Sequence, residues 1–187
     1  MPEPTEDASP PLRTWRPMAA WTAGILLALG LVWGGAKTVR LYRTHQVFSH
    51  YGDYFTGPRD EQVLIADLGG REAGLSRCRE YISLPTQLIG TENKLRALTA
   101  LGFHGEGCLP ILQDAMHSGD ALMRVGAVRG FCQYLLHEDQ GLQKFSSVPR
   151  YQEVIDVIKA AQSDSDLDVR STAADALRRI TDQELPK

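Results

Sequence analysis

Little in this chain offers itself to chemistry. Its 187 residues include only three cysteines, Cys78, Cys108 and Cys132, and none stands in a CxxC or other metal-ligand spacing. No Gly-rich phosphate loop, HExxH helix, GxSxG elbow or CxxCH haem attachment occurs. The expectation is therefore a protein without catalytic residues, metal ligands or cofactor, and not an enzyme. A surplus of one charge is also lacking: 20 Lys and Arg stand against 23 Asp and Glu, and from Thr56 onward the balance is 15 against 19. A mildly acidic surface is poorly matched to phosphate backbones, so nucleic acid is not the expected partner. The odd cysteine count leaves at least one thiol free, and in helical patterns Cys behaves as a small apolar residue. Cys108 begins one predicted helix and Cys132 lies late in the next. An antiparallel arrangement would make them neighbours, which matters only in an oxidising compartment.

What the chain does have is one long uncharged run. Pro17 to Ala36, PMAAWTAGILLALGLVWGGA, is twenty residues without a charge, about 30 Å of helix and roughly the thickness of a bilayer core. Arg13 and Arg16 precede it; Lys37, Arg40 and Arg43 follow, and Trp15, Trp21, Trp33 and Tyr42 lie near its ends. The expectation is a disordered polar tail over 1–16, a transmembrane helix over 17–36 and a basic juxtamembrane helix or linker over 37–57. A soluble domain would occupy 58–187. Gly34-Gly35-Ala36 also fits signal-peptide cleavage, although the run exceeds the roughly 7–15 residues of an ordinary h-region. Gly30 and Gly34 form a GxxxG, with Ala20, Gly24 and Ala28 as a second small row. Either would let two spanning helices pack as a homodimer. The expected localisation is the cell membrane as a single-pass protein. Charge bias places the repeat domain weakly on the cytoplasmic side, with export close behind.

Past Pro58 the pattern is helical throughout. Apolar residues three and four apart mark Asp60–Leu68, Glu72–Leu84, Glu92–Phe103, Leu109–Met116, Asp120–Leu136, Gln152–Ala161 and Asp168–Ile180. Glycine, proline and serine breakers separate them, and only Glu138–Pro149 is a long connection. Three of these helices share a register. Glu92, Asp120 and Asp166 stand four residues before Arg96, Arg124 and Arg170, and each arginine follows an apolar residue. Six residues beyond the arginines are Gly102, Gly130 and Ala176; seven beyond are Phe103, Phe131 and Leu177. Acid and arginine four apart can pair along an exposed helix side. Asp120 and Asp166 also sit at or beside N-cap positions. The small residues admit a close neighbouring helix, and the large ones fill the remaining space. Such units must stack to bury their apolar faces.

This register resembles the HEAT-repeat family, with a helix reading acid-x-x-Val-Arg-x-x-Ala-Ala-x-Ala-Leu; DLDVRSTAADALRRI, Asp166–Ile180, is the closest match. The resemblance extends over roughly Thr91–Ile180. The spacing from Arg96 to Arg124 is 28 residues, but from Arg124 to Arg170 it is 46, the excess lying in Leu135–Pro149. With the spanning helix read from the uncharged run, the expected fold is all-α, one N-terminal transmembrane helix followed by the short armadillo-like α-solenoid of antiparallel helix pairs that the resemblance implies. It also implies a scaffold for protein–protein interaction; fold alone carries no activity.

Few side chains stand out as sites. His104-Gly-Glu-Gly-Cys108 brings imidazole, carboxylate and thiol together, yet its glycines suit a tight turn between helices equally well. His117 and His137 end predicted helices, where a cation favours the dipole. Arg129, Arg150, Arg178 and Arg179 are the candidates for contact with a protein partner, and Glu138–Pro149 is the insertion from which a partner contact would project. The function expected is a membrane-tethered HEAT-like docking scaffold. Two readings compete with it: an accessory subunit of a membrane complex held by its spanning helix, and an enzymatic HEAT relative using Cys108 or His104.

Overall fold

The computed structural model describes the backbone of residues 15–50, 58–138 and 148–184, with side chains over 30–49, 62–137 and 148–183. Every described element is helical: α1 (Trp15–His50), α2 (Pro58–Asp67), α3 (Arg71–Ile82), α4 (Thr86–Ile89), α5 (Thr91–Leu101), a 3-10 segment (Gly102–Cys108), α6 (Leu109–Met116), α7 (Ala121–Glu138), α8 (Tyr151–Ala161) and α9 (Leu167–Glu184). The chain divides into two units, Met1–Arg40 and Leu41–Lys187. Most of the expected polar tail, residues 1–14, lies outside the described residues.

The transmembrane helix expected over 17–36 is corrected. Among the described residues no helix is long and apolar enough to cross a membrane. Where its side chains are described, from Gly30 onward, α1 carries Lys37, Arg40 and Arg43 and then a stripe buried in the core of the second unit. The single-pass reading built on that span goes with it. In the first unit Thr38 Oγ1 donates to the Gly34 carbonyl at 2.9 Å, and Lys37 Nζ lies 5.8 Å from the Trp33 ring centre.

In the second unit the last turns of α1 belong to the core. Thr44 and Phe48 are buried and Val47 packs against them, so Leu41, Thr44, Val47 and Phe48 form one apolar stripe at helical spacing. The Phe48 ring lies 5.1 Å from Tyr81, whose hydroxyl meets His45 Nδ1 at 2.6 Å, and Arg96 Nη1 donates to the Phe48 carbonyl at 3.1 Å.

The stack beyond is organised by α5, α7 and α9, with α7 packed against both of the others. These helices run in the same direction. A Cβ on Gly126 would strike Leu98, one on Gly130 would lie 2.7 Å from the Leu98 carbonyl, and one on Gly102 would strike the Gly130 carbonyl and come within 2.8 Å of Tyr134 N. Contacts therefore advance together along α5 and α7. Glycine at 102 and 130 lets the backbones touch where any side chain would separate them. Helix α6 packs against α7, and α8 against α9. The buried stripe of α9 is Val169, Ala173, Ala176 and Ile180, as the 3.6-residue period requires. All three cysteines are buried free thiols, so Cys108 and Cys132 are not bonded.

Candidate functional site

The repeated arginines prove to be staples. Arg124 holds Asp164 with two bonds, Nε to Oδ2 at 2.9 Å and Nη2 to Oδ1 at 3.0 Å, and its Nη1 donates to the Ser118 carbonyl at 2.8 Å. Arg170 Nη1 donates to the Asp164 carbonyl at 2.8 Å. Arg124 and Arg170 thus reach back six residues to the turn before their own helices, and Arg124 also reaches forward to the turn between α8 and α9; Arg96 bonds the Phe48 carbonyl instead. Bidentate pairing fixes orientation as well as distance. The acids four residues earlier do something different. Asp120 Oδ1 accepts from Leu122 N at 3.0 Å, and Asp166 Oδ1 accepts from Asp168 N at 2.9 Å. Both are N-caps. Only Glu92 makes the expected pair, with Arg96 at 3.5 Å. The Arg124 bond holds the Asp164 carboxyl below the usual carboxylate range, and the Asp166 backbone N–H adds to this. Asp164→Asn keeps the shape but loses the charge: acid unfolding followed by circular dichroism should lose part of its dependence as pH falls below the ordinary carboxylate range, since the lowered carboxyl contributes stability above its unfolded pKa and loses it as pH falls through its folded one. An unchanged acid limb would mean that the clamp does not form in solution.

The four candidate arginines have different settings. Arg129 is the sole exposed side chain among the described residues of α7, whose other positions are buried or half-buried. Arg178 and Arg179 are exposed on the adjacent α9, Arg178 pairing with Asp175 at 2.9 Å. Arg179 lies near enough to Cys132 to oppose the rise that burial imposes on that thiol, up to about 11. Arg150 stands apart. It caps α8 in the left-handed region, φ 56°, and its Nε donates to Glu153 Oε2 at 2.7 Å. Glu153 also accepts from Gln113 Nε2 at 2.6 Å. Its guanidinium is committed to the α6–α8 side. Of the insertion, residues 139–147 lie outside the described residues; Val148 is buried, and the Pro149 carbonyl accepts from Tyr134 Oη at 2.8 Å.

The His104–Cys108 motif folds as the turn. Gly105 carries φ 72° and ψ −162°, a conformation reserved for glycine, and Glu106 is exposed while His104 and Cys108 are buried. Among the described residues no three His, Cys, Asp or Glu side chains converge as metal ligands. His104 is turned instead toward α3. Its Nε2 lies 3.9 Å from Cys78 Sγ, and its Nδ1 has no hydrogen-bond partner of ordinary geometry. Burial chiefly, with the Arg71 guanidinium and His137 adding to it and the Arg71 backbone opposing, lowers its pKa to about 4. Burial pushes the Cys78 thiol up to about 12, so this is not a reactive thiolate. A histidine with a lowered folded pKa contributes its full stability above about pH 6.5 and loses it as pH falls toward about 4. The loss comes to about 3 kcal/mol. Urea unfolding at about pH 7.5, 5.5 and 3.5, which brackets that window, reads it directly.

Compared with protein-family models, curated proteins and solved structures, the chain matches none of them.

The reading from sequence missed Asp164, the seating of His104 against α3 and the contact of Phe48 with Tyr81. A signal existed for two of them. Asp164 precedes Arg170 by the same six residues that separate Ser118 from Arg124. Thr44, Val47 and Phe48 have amphipathic helical spacing. Nothing in the sequence pairs His104 with Gly74.

Proposed function

We propose that this chain is a HEAT-like helical docking module that holds an acidic segment of another protein across the exposed edge of α7 and α9. One observation carries the reading: the central helix is enclosed, among its described residues, except at Arg129, and Arg178 and Arg179 stand exposed on the helix packed beside it. Arginine suits such a role because its fork engages carboxylates with two bonds. The clamp of Arg124 on Asp164 supports it further, since it sets α7 and α9 in one orientation and spares a partner the cost of ordering them. The repeated register at Arg96, Arg124 and Arg170 is what favours the HEAT-like assignment.

Charge reversal tests it. In proximity labelling with the full chain, Arg129→Glu with Arg179→Glu should cut labelling of specific neighbours roughly tenfold or more, the loss expected for two charge-assisted contacts. Helical content should be unchanged, because both side chains are exposed. A labelling pattern identical to that of the unaltered chain would exclude this edge as the docking face.

A further inference from the structure

We propose that His104 is an acid-sensitive latch: as a neutral ring seated in the notch at Gly74 it holds the α2–α3 hairpin against the rest of the helical domain, and on taking up a proton it lets that hairpin loosen.

The shape of the contact comes first. A Cβ on Gly74 would strike His104 Cε1 and lie 3.0 Å from Nε2 and 3.2 Å from Nδ1, so the ring occupies the space that a side chain on α3 would fill. One turn further along α3, Cys78 Sγ closes the far side at 3.9 Å. The residue is buried, only 6 % exposed. The 3-10 segment that carries it packs against α2, α3, α5, α6 and α7, so His104 sits where the first hairpin meets the stack.

The charges around it come next. From α3 the ring is faced by Arg71 and the neutral thiol of Cys78; from α7 it is faced by His137. No carboxylate from α2, α5 or α6, among the described residues, acts on it. Arg71 Nη2 lies 3.0 Å from His137 Nε2, so a proton taken up by the buried ring from solvent would add a second cation near the exposed Arg71 guanidinium. A buried charge with no counter-ion is strongly unfavourable. The least costly relief is to open the contact and wet the ring. The part that can move is the α2–α3 hairpin, which meets the stack at this notch and along α5, because the α5–α7–α9 body is fixed independently by close backbone contact and by the Arg124–Asp164 clamp. The latch needs no docking partner, and its test does not depend on one.

Hydrogen exchange of the full chain at about pH 7.5 and 5.0, corrected for intrinsic rates, reads the hairpin directly. In peptides from 62–84 the opening constant should rise roughly 30-fold at the lower pH, the ratio set by a ring titrating near 4 when closed and near 6.5 when open. Peptides from 167–180 should hold their protection. His104→Gln should remove the rise. Arg71→Glu, which replaces the nearby cation with a carboxylate, should shrink it several-fold. Uniform loosening of both regions overturns the latch, as does an undiminished rise in the Gln variant. Should the Gln variant not fold, a rise in Arg71→Glu as large as that of the unaltered chain overturns it equally.

Discussion

Gly102→Ala should destabilise the helical domain by about 3 kcal/mol, the upper part of the range for forcing atoms into a packed interior. The added methyl has nowhere to go. It would strike the Gly130 carbonyl and lie 2.8 Å from both Gln133 Cβ and Tyr134 N. Two of these obstacles are main-chain atoms of α7, so no rotamer change relieves the clash; α5 and α7 must separate. Separation then loosens Leu98, Phe131 and Tyr134, all buried beside the contact. Urea unfolding by circular dichroism measures the loss, with Gly119→Ala as the comparison. Gly119 is exposed, and a methyl added there would meet nothing within 4 Å, so that change should stay within about 0.5 kcal/mol. Equal midpoints for the two variants would show that α5 and α7 do not touch backbone to backbone.

That contact is legible in the sequence alone. Small residues six positions after each repeated arginine predict the close approach of a neighbouring helix, and at Gly102 and Gly130 it occurs. Large residues one position later predict filling of the gap, and Phe103 and Phe131 are buried. Leu177, in the same register position on α9, is only half-buried, because α9 has a packed neighbour of its kind on one side alone. The helices themselves are readable from their period of about 3.6 residues, apart from α4 and the 3-10 segment, which are too short for periodicity to register. Less legible is the work of the charges. Acid and arginine four apart read most simply as a pair on one helix, whereas capping claims Asp120 and Asp166, and the arginines turn to the loops. A local rule predicts contacts along one helix; the Arg124–Asp164 bond joins residues 40 apart and is decided by how hairpins stack. The uncharged run over 17–36 misleads for a related reason. Its length fits a membrane span, yet α1 carries on through three basic residues to bury its far end in protein.

The far end of α1 carries the second large effect. Phe48→Ala should cost the helical domain about 3–4 kcal/mol, the range for deleting a fully buried aromatic ring. Phe48 is 0 % exposed and packs on Tyr81, which is also fully buried; the cavity left between them cannot collapse easily, because Tyr81 is held by His45 and the α1 backbone by Arg96. Trp33→Ala removes a larger side chain from the same helix at a position 72 % exposed, and should change stability by less than about 0.5 kcal/mol. One helix therefore holds two aromatic residues with opposite expectations, and urea midpoints of the two variants separate them. A large loss at Phe48 beside none at Trp33 makes the last turns of α1 the first layer of the stack. That layer supports Tyr81 on α3, the helix whose Gly74 receives the His104 ring, so weakening it should also raise exchange across 62–84 at neutral pH. Equal, small effects would place the whole of α1 outside the folded core.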